Sequence, residues 1–290
     1  MKPPAFEYHR PDTADDAVAM LAQLGDGAKV LAGGQSLVPM LALRLTMFEH
    51  LIDITRIAEL QGIEREAATL QIGAGTTDVD IETSSEVAAT VPLLARATPL
   101  IGHFQIRNRG TIGGSIVHAD PAAEYPAVAL ALDATLEVLG TAGARSVSSP
   151  DFFTGLWDTA IDDDELLTAI SFPVWSGRCG FAVEEVARRH GDFAIAGTAL
   201  ALEVDSGDTV VRCGIGLFGL APTPVRASAV EAEIVGRHVD EIDAEELGQL
   251  AISDLDDVPS DLHSPAAYRR RVGAVTVTRA LRSAMSEACG

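Results

Sequence analysis

Two glycine pairs decide the fold of this chain, in the stretches Ala32-Gly33-Gly34-Gln35-Ser36 and Thr111-Ile112-Gly113-Gly114-Ser115. Each stretch lies in or after apolar sequence and ends in a serine. Paired glycines allow backbone N–H groups to converge on one point because no Cβ is in the way, which suits a phosphate or diphosphate. A single stretch of this kind is explained equally well as a tight turn without a ligand. Two of the same form indicate a single dinucleotide held from both sides.

The composition is that of a globular protein with more than one compact unit. The chain has 290 residues, of which 47% are apolar and 22% charged, enough for two or three units with sizeable cores. No apolar run approaches the ~18 residues that cross a bilayer, and the start does not have the form of a signal peptide, so we expect a cytoplasmic protein. The net charge of -21 argues against nucleic-acid binding, because phosphate backbones would be repelled.

The sequence predicts no metal site in this chain. The cysteines are Cys179, Cys213 and Cys289, and three of the histidines are His103, His118 and His190. The cysteines are scattered and form no Cys-x-x-Cys pair or disulfide framework. The histidines show no ligand spacing and are interpreted as polar or turn residues. Iron–sulfur or zinc chemistry, if involved, would therefore belong to another chain.

Apolar periodicity divides the chain into three units, at residues 1–55, 56–175 and 176–290. In the first unit the predicted elements are helix 13–24, strand 30–32, helix 38–45 and strand 51–54, a βαβ-type arrangement. The second unit has a hairpin around residues 63 and 70–74, helices 79–89, 92–101 and 126–132, and strands 136–139 and 167–172. The third has strands 199–204 and 210–217, then helices 227–235, 244–252 and 268–285. The second unit should hold a largely antiparallel sheet.

Six motifs in a fixed order give the chain a family resemblance. They are Phe6 to Pro11, the two glycine motifs (the second followed by His118-Ala119-Asp120-Pro121), Glu165-Leu166-Leu167 with Pro173, Arg188 to Ala194, and Pro222 to Ala227. In these the chain resembles, over essentially its whole length, the FAD-binding medium subunit of molybdenum hydroxylases such as carbon monoxide dehydrogenase and xanthine dehydrogenase. The resemblance implies an α+β fold: a two-subdomain FAD-binding fold of the vanillyl-alcohol oxidase type, plus a C-terminal domain with a small antiparallel sheet and a helical bundle.

The resemblance also implies partners and cofactors. FAD would be bound non-covalently by this chain, while the molybdenum cofactor would lie on a large subunit and two [2Fe–2S] clusters on a small subunit. The assembly would be a dimer of heterotrimers. The medium subunit would pass electrons from the clusters through FAD to an external acceptor, and it needs no catalytic acid–base pair of its own. The sequence names neither the substrate, which the large subunit selects, nor the acceptor.

The resemblance further implies which residues contact FAD. They are Lys29, Val30, Leu31, Ala32, Gly33, Gly34, Gln35, Ser36, Ile101, Gly110, Thr111, Ile112, Gly113, Gly114, Ser115, Glu124 and Leu167. Glu124 stands where relatives carry an aspartate bound to the ribityl hydroxyls, although an acid at a helix start is an equally good interpretation. Asp120 is the competing acid. Core packing explains Ile101 and Leu167 as well as flavin contact does.

Two alternatives remain beside an electron-transferring subunit. A free-standing FAD-dependent oxidoreductase would need a substrate site of its own, and the residues after the FAD unit leave little room for one. A non-catalytic flavin-binding assembly module would hold the cofactor without passing electrons. Reduction of the bound flavin by partner subunits separates the last alternative from the first interpretation.

Overall fold

The computed structural model describes residues 2–262 and 264–290, and these form three main sheets covered by helices. The first sheet is built from β1 (Glu7–His9), α1 (Ala14–Leu24), β2 (Ala28–Leu31), α2 (Leu37–Leu43) and β3 (His50–Asp53). Its strands are parallel, in the order β1-β3-β2. Parallel strands end at one edge of a sheet, so the loop after β2 lies beside the end of β3.

The βαβ prediction for this first unit is confirmed. Thr13 caps α1 by accepting the Asp16 amide at 3.1 Å, and the helix ends at Gly25, as its sequence predicts. The short strand β1 was not predicted. Its three residues are half-buried or exposed and carry no apolar pattern that would distinguish them from a loop.

The second sheet is antiparallel, as predicted, in the order β4-β5-β10-β6-β7. Its unit consists of β4 (Ile63–Glu66), β5 (Thr69–Gly73), α3 (Asp78–Thr83), α4 (Ser85–Thr90), α5 (Pro92–Ala97), α6 (Phe104–Arg107), α7 (Ile112–His118), α8 (Glu124–Ala131), β6 (Thr135–Gly140), β7 (Gly143–Ser148), α9 (Ser149–Phe152), β8 (Phe153–Gly155), β9 (Asp158–Thr159) and β10 (Leu166–Pro173). The predicted helix 79–89 is two helices, because Ser84 has extended backbone and its hydroxyl caps α4 at the Val87 amide.

The third sheet has the antiparallel order β11-β12-β13-β14. Its unit consists of β11 (Arg178–Val186), β12 (Ala196–Val204), β13 (Val210–Phe218), β14 (Val225–Arg226), α10 (Ser228–Ile234), α11 (Ala244–Ser253) and α12 (Ala266–Cys289). The predicted hairpin and three helices are present, while β11 is additional. The small antiparallel sheet with helices matches the C-terminal domain that the family resemblance implies.

One hydrophobic cluster spans the second and third units, and the third unit has a second cluster of its own. All eight residues of α8 are buried, and its cluster includes Phe172 of the second sheet and Ala199 and Phe218 of the third. The unit boundaries at residues 55/56 and 175/176 stay predictions. Among the described residues, no helix combines the length and the apolar character that crossing a membrane requires.

Candidate cofactor site

The loop after β2 borders two adjoining cavities at the carboxyl edge of the parallel sheet. The cavities have volumes of about 370 Å³ and 450 Å³. Both are lined by Ala32, Asp53, Thr55 and Arg109. The edge where parallel strands end is the usual place for a nucleotide in sheets of this kind. The first glycine motif, residues 32–36, therefore lies where a dinucleotide would bind.

The first motif carries backbone amides that the protein itself does not use. Within the described residues, the N–H groups of Gly33, Gly34, Gln35 and Ser36 have no protein acceptor. Gly34 has a φ of 72°, a left-handed conformation that glycine adopts without strain. A run of amides with such a turn forms an anion-binding concavity. This loop fits a diphosphate.

The two glycine motifs are in direct contact, as the sequence suggested. A Cβ added to Gly33 would lie 2.1 Å from the carbonyl oxygen of Arg109, just before the second motif. A Cβ added to Gly114 would lie 3.6 Å from Ala32. Glycine at position 33 is thus required by the close approach of two backbones. The first motif and residues 109–114 form one wall.

The amides of the second motif donate to groups of the protein itself, and contact of this motif with a ligand stays a prediction. Residues 112–118 are helix α7, capped by the Thr111 hydroxyl, which accepts the Gly114 amide at 3.1 Å. The amide of Ile112 donates to Thr76, that of Gly113 to Ala74, and that of Ser115 to the Thr111 carbonyl. Gly113 is needed for packing, because a Cβ there would lie 2.5 Å from the Ala74 Cβ. On this side Thr111 lines the larger cavity, and contact of Ser115 with a ligand stays a prediction.

The remaining predicted contacts fall into two groups. Leu31 lines the smaller cavity, and Gly110 is buried against Asp78. Val30 and Ile101 are half-buried beside hydrophobic clusters. The Lys29 ammonium lies 5.8 Å from the Phe48 ring centre. Leu167 is 3% exposed and lies in the same hydrophobic cluster as α8. The structure thus explains Leu167 by core packing, and FAD contacts from Lys29, Val30, Ile101 and Leu167 stay predictions.

Glu124 is part of a buried group of carboxyls. It begins α8, is 8% exposed, and has its pKa raised to about 8 by burial and by the charges of Glu185, Asp78 and Asp120. Burial also raises the pKa of Glu185 and of Asp78, each to about 7. A carboxyl with such a pKa is protonated near neutrality and can donate a hydrogen bond. Among the described residues, Glu185 Oε2 and Asp78 Oδ1 are buried without a partner, which fits nearby ligand hydroxyls.

Asp120, the competing acid, has a local structural role. It is half-buried, and its Oδ1 accepts the amide of Ala122 at 2.9 Å. This is the turn-forming bond typical of aspartate before a helix. Glu124 is therefore the better candidate for a ligand contact.

The sequence interpretation missed a polar group on the cavity floor. Asp53 accepts the amide and hydroxyl of Thr55 at 2.8 and 2.6 Å, and the hydroxyl of Tyr8. Burial opposes ionisation of Asp53, but these hydrogen bonds outweigh it and lower its pKa. The only sequence signal was a carboxylate at the end of a short strand. Tyr8 reaches Asp53 through β1, whose sequence has no apolar pattern that predicts a strand.

Three arginines were missed as well. Arg10 and Arg56 line the larger cavity, and Arg109 lines both. Within the part of the chain that the structure describes, none of the three forms an ion pair. They place positive charge beside the first motif in a strongly acidic protein, which favours an anionic ligand.

Two pairs of histidine rings lie close together in the structure. The rings of His103 and His190 are 6.1 Å apart, and burial lowers the pKa of His118. His9 and His50 form the other pair, and the Glu7 carboxylate lies beside them. His9 and His50 are 41 residues apart, so no local spacing could show this.

A parallel-sheet edge with an open amide loop, joined to an antiparallel unit, defines a dinucleotide-binding protein. Comparison with known proteins identifies the protein family within this class. Residues 4–175 match the family described as the FAD binding domain in molybdopterin dehydrogenase, and residues 181–284 match the CO dehydrogenase flavoprotein C-terminal domain.

Full-length relatives agree with these matches. The chain is 40% identical to the carbon monoxide dehydrogenase medium chain of Hydrogenophaga pseudoflava, covering 98% of each chain. It is 37% identical to the 6-hydroxypseudooxynicotine dehydrogenase complex subunit alpha of Paenarthrobacter nicotinovorans, covering 99% of this chain and 97% of that one. A solved structure of carbon monoxide dehydrogenase from Hydrogenophaga pseudoflava superposes with a TM-score of 0.96 at 42% identity, covering 99% of each chain. This chain belongs to the family of FAD-binding medium subunits of molybdenum hydroxylases, an oxidoreductase component.

Proposed function

We propose that this chain holds FAD non-covalently and passes electrons from [2Fe–2S] clusters of a partner subunit to an external acceptor. The observation that carries the proposal is the first motif, where four consecutive amides lack a protein acceptor in a chain of an FAD-binding family. When bound, FAD supplies the electron chemistry. The chain has three cysteines, fewer than the four ligands of a [2Fe–2S] cluster, so the clusters belong to another subunit.

The residues of this chain divide the binding task. The amides of residues 33–36 hold the diphosphate, and the hydroxyls of Thr111 and Ser115, on the adjacent second motif, complete its site. Glu124, protonated near neutrality, donates a hydrogen bond to a ribityl hydroxyl. These contacts orient the cofactor without a covalent bond. Substrate chemistry requires a molybdenum cofactor on a large subunit, in a cytoplasmic dimer of heterotrimers.

The proposal is tested by anaerobic flavin reduction. The chain is purified with FAD, alone and co-expressed with large and small subunits encoded beside it. Candidate reductants such as carbon monoxide, aldehydes, purines and N-heteroaromatics are then mixed in. We expect flavin bleaching by one of them in the assembled complex only, while dithionite bleaches both samples. Acid precipitation should release the flavin into solution.

Each other outcome favours a specific alternative. Rapid bleaching of the isolated chain by an organic substrate would contradict the proposal and indicate a free-standing oxidoreductase. An assembled complex that oxidises its substrate with an artificial dye, but leaves the flavin oxidised, would indicate a flavin-binding assembly module.

A further inference from the structure

Three side chains from two paired strands meet on one face of the parallel sheet. Glu7 and His9 lie on β1, and His50 begins β3. The register places Glu7 opposite His50. Residues i and i+2 of a strand lie on the same face, so His9 joins Glu7 there. Pairing of two distant segments thus creates the cluster.

The distances within this cluster are those of ligands around one small cation. His9 Nε2 lies 3.1 Å from His50 Nδ1. A Glu7 carboxylate oxygen lies 3.6 Å from His50 Nδ1 and 4.0 Å from His9 Nε2. In a tetrahedral zinc site with ordinary bond lengths, ligand atoms are separated by about 3.3 Å. The imidazoles already have this spacing, and the Glu7 side chain, which is 74% exposed, can close the remaining gap.

The donor set favours a transition-metal ion such as Zn²⁺ over a hard cation that prefers oxygen ligands. Two imidazoles and one carboxylate are ligands typical of Zn²⁺, with the fourth position left for water. Mg²⁺ prefers oxygen ligands in octahedral geometry and is a poor match. The competing explanation is a hydrogen bond between two neutral imidazoles, one donating and one accepting. That explanation gives Glu7 no part, although its carboxylate lies beside both rings.

We propose that Glu7, His9 and His50 form a Zn²⁺ site that fastens β1 to the parallel sheet. β1 is an edge strand of three residues, too short to be held firmly by its backbone bonds alone. Tyr8, between two of the ligands, donates to Asp53 on the cavity floor. Metal binding on one face of β1 therefore stabilises the strand that places Tyr8 at the cofactor cavity.

The test uses the full-length chain without a histidine tag, stripped of metal by a chelator. Calorimetric titration with Zn²⁺ should show one site per chain, and Mg²⁺ should give no heat. Co²⁺ should produce the intense visible absorption of a four-coordinate ion. His9→Gln and His50→Ala should each weaken Zn²⁺ binding by at least about tenfold, since even outer partners of ligands contribute that much. His238→Ala is the matched control, because His238 belongs to no group of three possible metal ligands among the described residues, and it should leave binding unchanged.

Hydrogen exchange gives an independent readout. With free Zn²⁺ at 100 times its dissociation constant, exchange of the β1 amides through local opening should slow about 100-fold. The same addition should leave exchange in His9→Gln unchanged. Absence of Zn²⁺ binding by the native chain would overturn the proposal, leaving a hydrogen-bonded histidine pair. Binding of equal strength in His9→Gln and His50→Ala would overturn it too. If His50→Ala does not fold, the native chain and His9→Gln still decide.

Discussion

At the scale of single residues, Glu124 shows how position changes chemistry. A glutamate at a helix start is ordinarily ionised and stabilised by the helix dipole. Here the side chain is 8% exposed, and burial together with nearby carboxylates raises its pKa to about 8. Glu124 is consequently protonated at neutral pH. It can donate a hydrogen bond to a hydroxyl oxygen of a sugar-like chain.

Glu124 makes the stability of the cofactor-free protein depend on pH. Its pKa rises from 4.5 to about 8 on folding, so between these pH values the folded chain holds a proton that the unfolded chain lacks. The free energy of unfolding must then fall as pH rises through this window. We expect Glu124→Gln to flatten the fall between pH 5 and pH 8 by roughly 3–4 kcal/mol, or about 6–16 °C in melting temperature. The measurement is thermal unfolding by circular dichroism across this range.

The control for this experiment is Glu64→Gln, because Glu64 is exposed on β4. Its pH profile should follow that of the native chain. Asp78 and Glu185 still titrate in both variants, so some fall remains. Identical profiles for Glu124→Gln and Glu64→Gln would show that Glu124 is ionised throughout and does not act as a donor.

At the scale of elements, the two glycine motifs have different structural tasks despite their similar sequences. The first is an open loop between β2 and α2, whose amides face solvent or ligand. The second is the first turn of α7, whose amides are already bonded to Ala74, Thr76 and Thr111. Gly113 lets this helix pack closely against Ala74, just after β5. Among the described residues, the amides of the first motif have no protein acceptor, whereas those of the second are used inside the protein.

Contact between these elements predicts the effect of Gly33→Ala. The new Cβ would lie 2.1 Å from the carbonyl oxygen of Arg109, and backbone cannot move aside as a flexible side chain can. The loop must shift, with strain of about 1–3 kcal/mol. We expect FAD affinity to fall roughly 10- to 100-fold, measured by flavin fluorescence titration. In Gly27→Ala, the nearest atoms to the new Cβ are 3.7 Å away, so this variant should bind FAD normally. Equal affinities would contradict the role assigned to Gly33.

At the scale of the whole molecule, one ion pair connects the FAD-binding region to the C-terminal helix. Arg96 on α5 holds both carboxylate oxygens of Glu287 on α12, at 2.6 and 2.7 Å. Glu287 also accepts the amide of Phe181 on β11 at 3.0 Å. A two-pronged guanidinium–carboxylate pair has defined geometry, so this contact fixes how the helix lies against the rest of the chain.

Removing this connection should weaken the fold modestly. The hydrogen bond from Arg96 lowers the pKa of Glu287 despite the opposing effect of burial, so the pair stabilises above the ordinary glutamate pKa and is lost on acidification. Since both side chains are about 40% exposed, we expect Glu287→Gln to cost about 1 kcal/mol, measured by urea unfolding at neutral pH. Glu245→Gln breaks the more exposed pair with Arg282 and should have almost no effect. Equal losses in both variants would show that the Arg96 pair has no special role.

The sequence by itself determined the local parts of this protein. Thr13 and Gly25 delimit α1 because capping depends on neighbours within one turn. The first motif indicated a phosphate loop because the freedom of glycine is a property of the residue itself. Six ordered motifs were enough to indicate the family, which the comparisons confirm.

Only the tertiary structure decided which groups have partners. The amides of Ile112 and Gly113 in the second motif donate to residues 74–76, just after β5, and no local pattern shows that. Glu124 acquires its raised pKa first from burial and then from Glu185, which lies 61 positions further along the chain, and His9 meets His50 only through strand pairing. Hydrogen-bond partners, burial and electric fields depend on what long-range packing brings together. Sequence periodicity depends only on residues a few positions away in the chain, so it does not show these long-range partners.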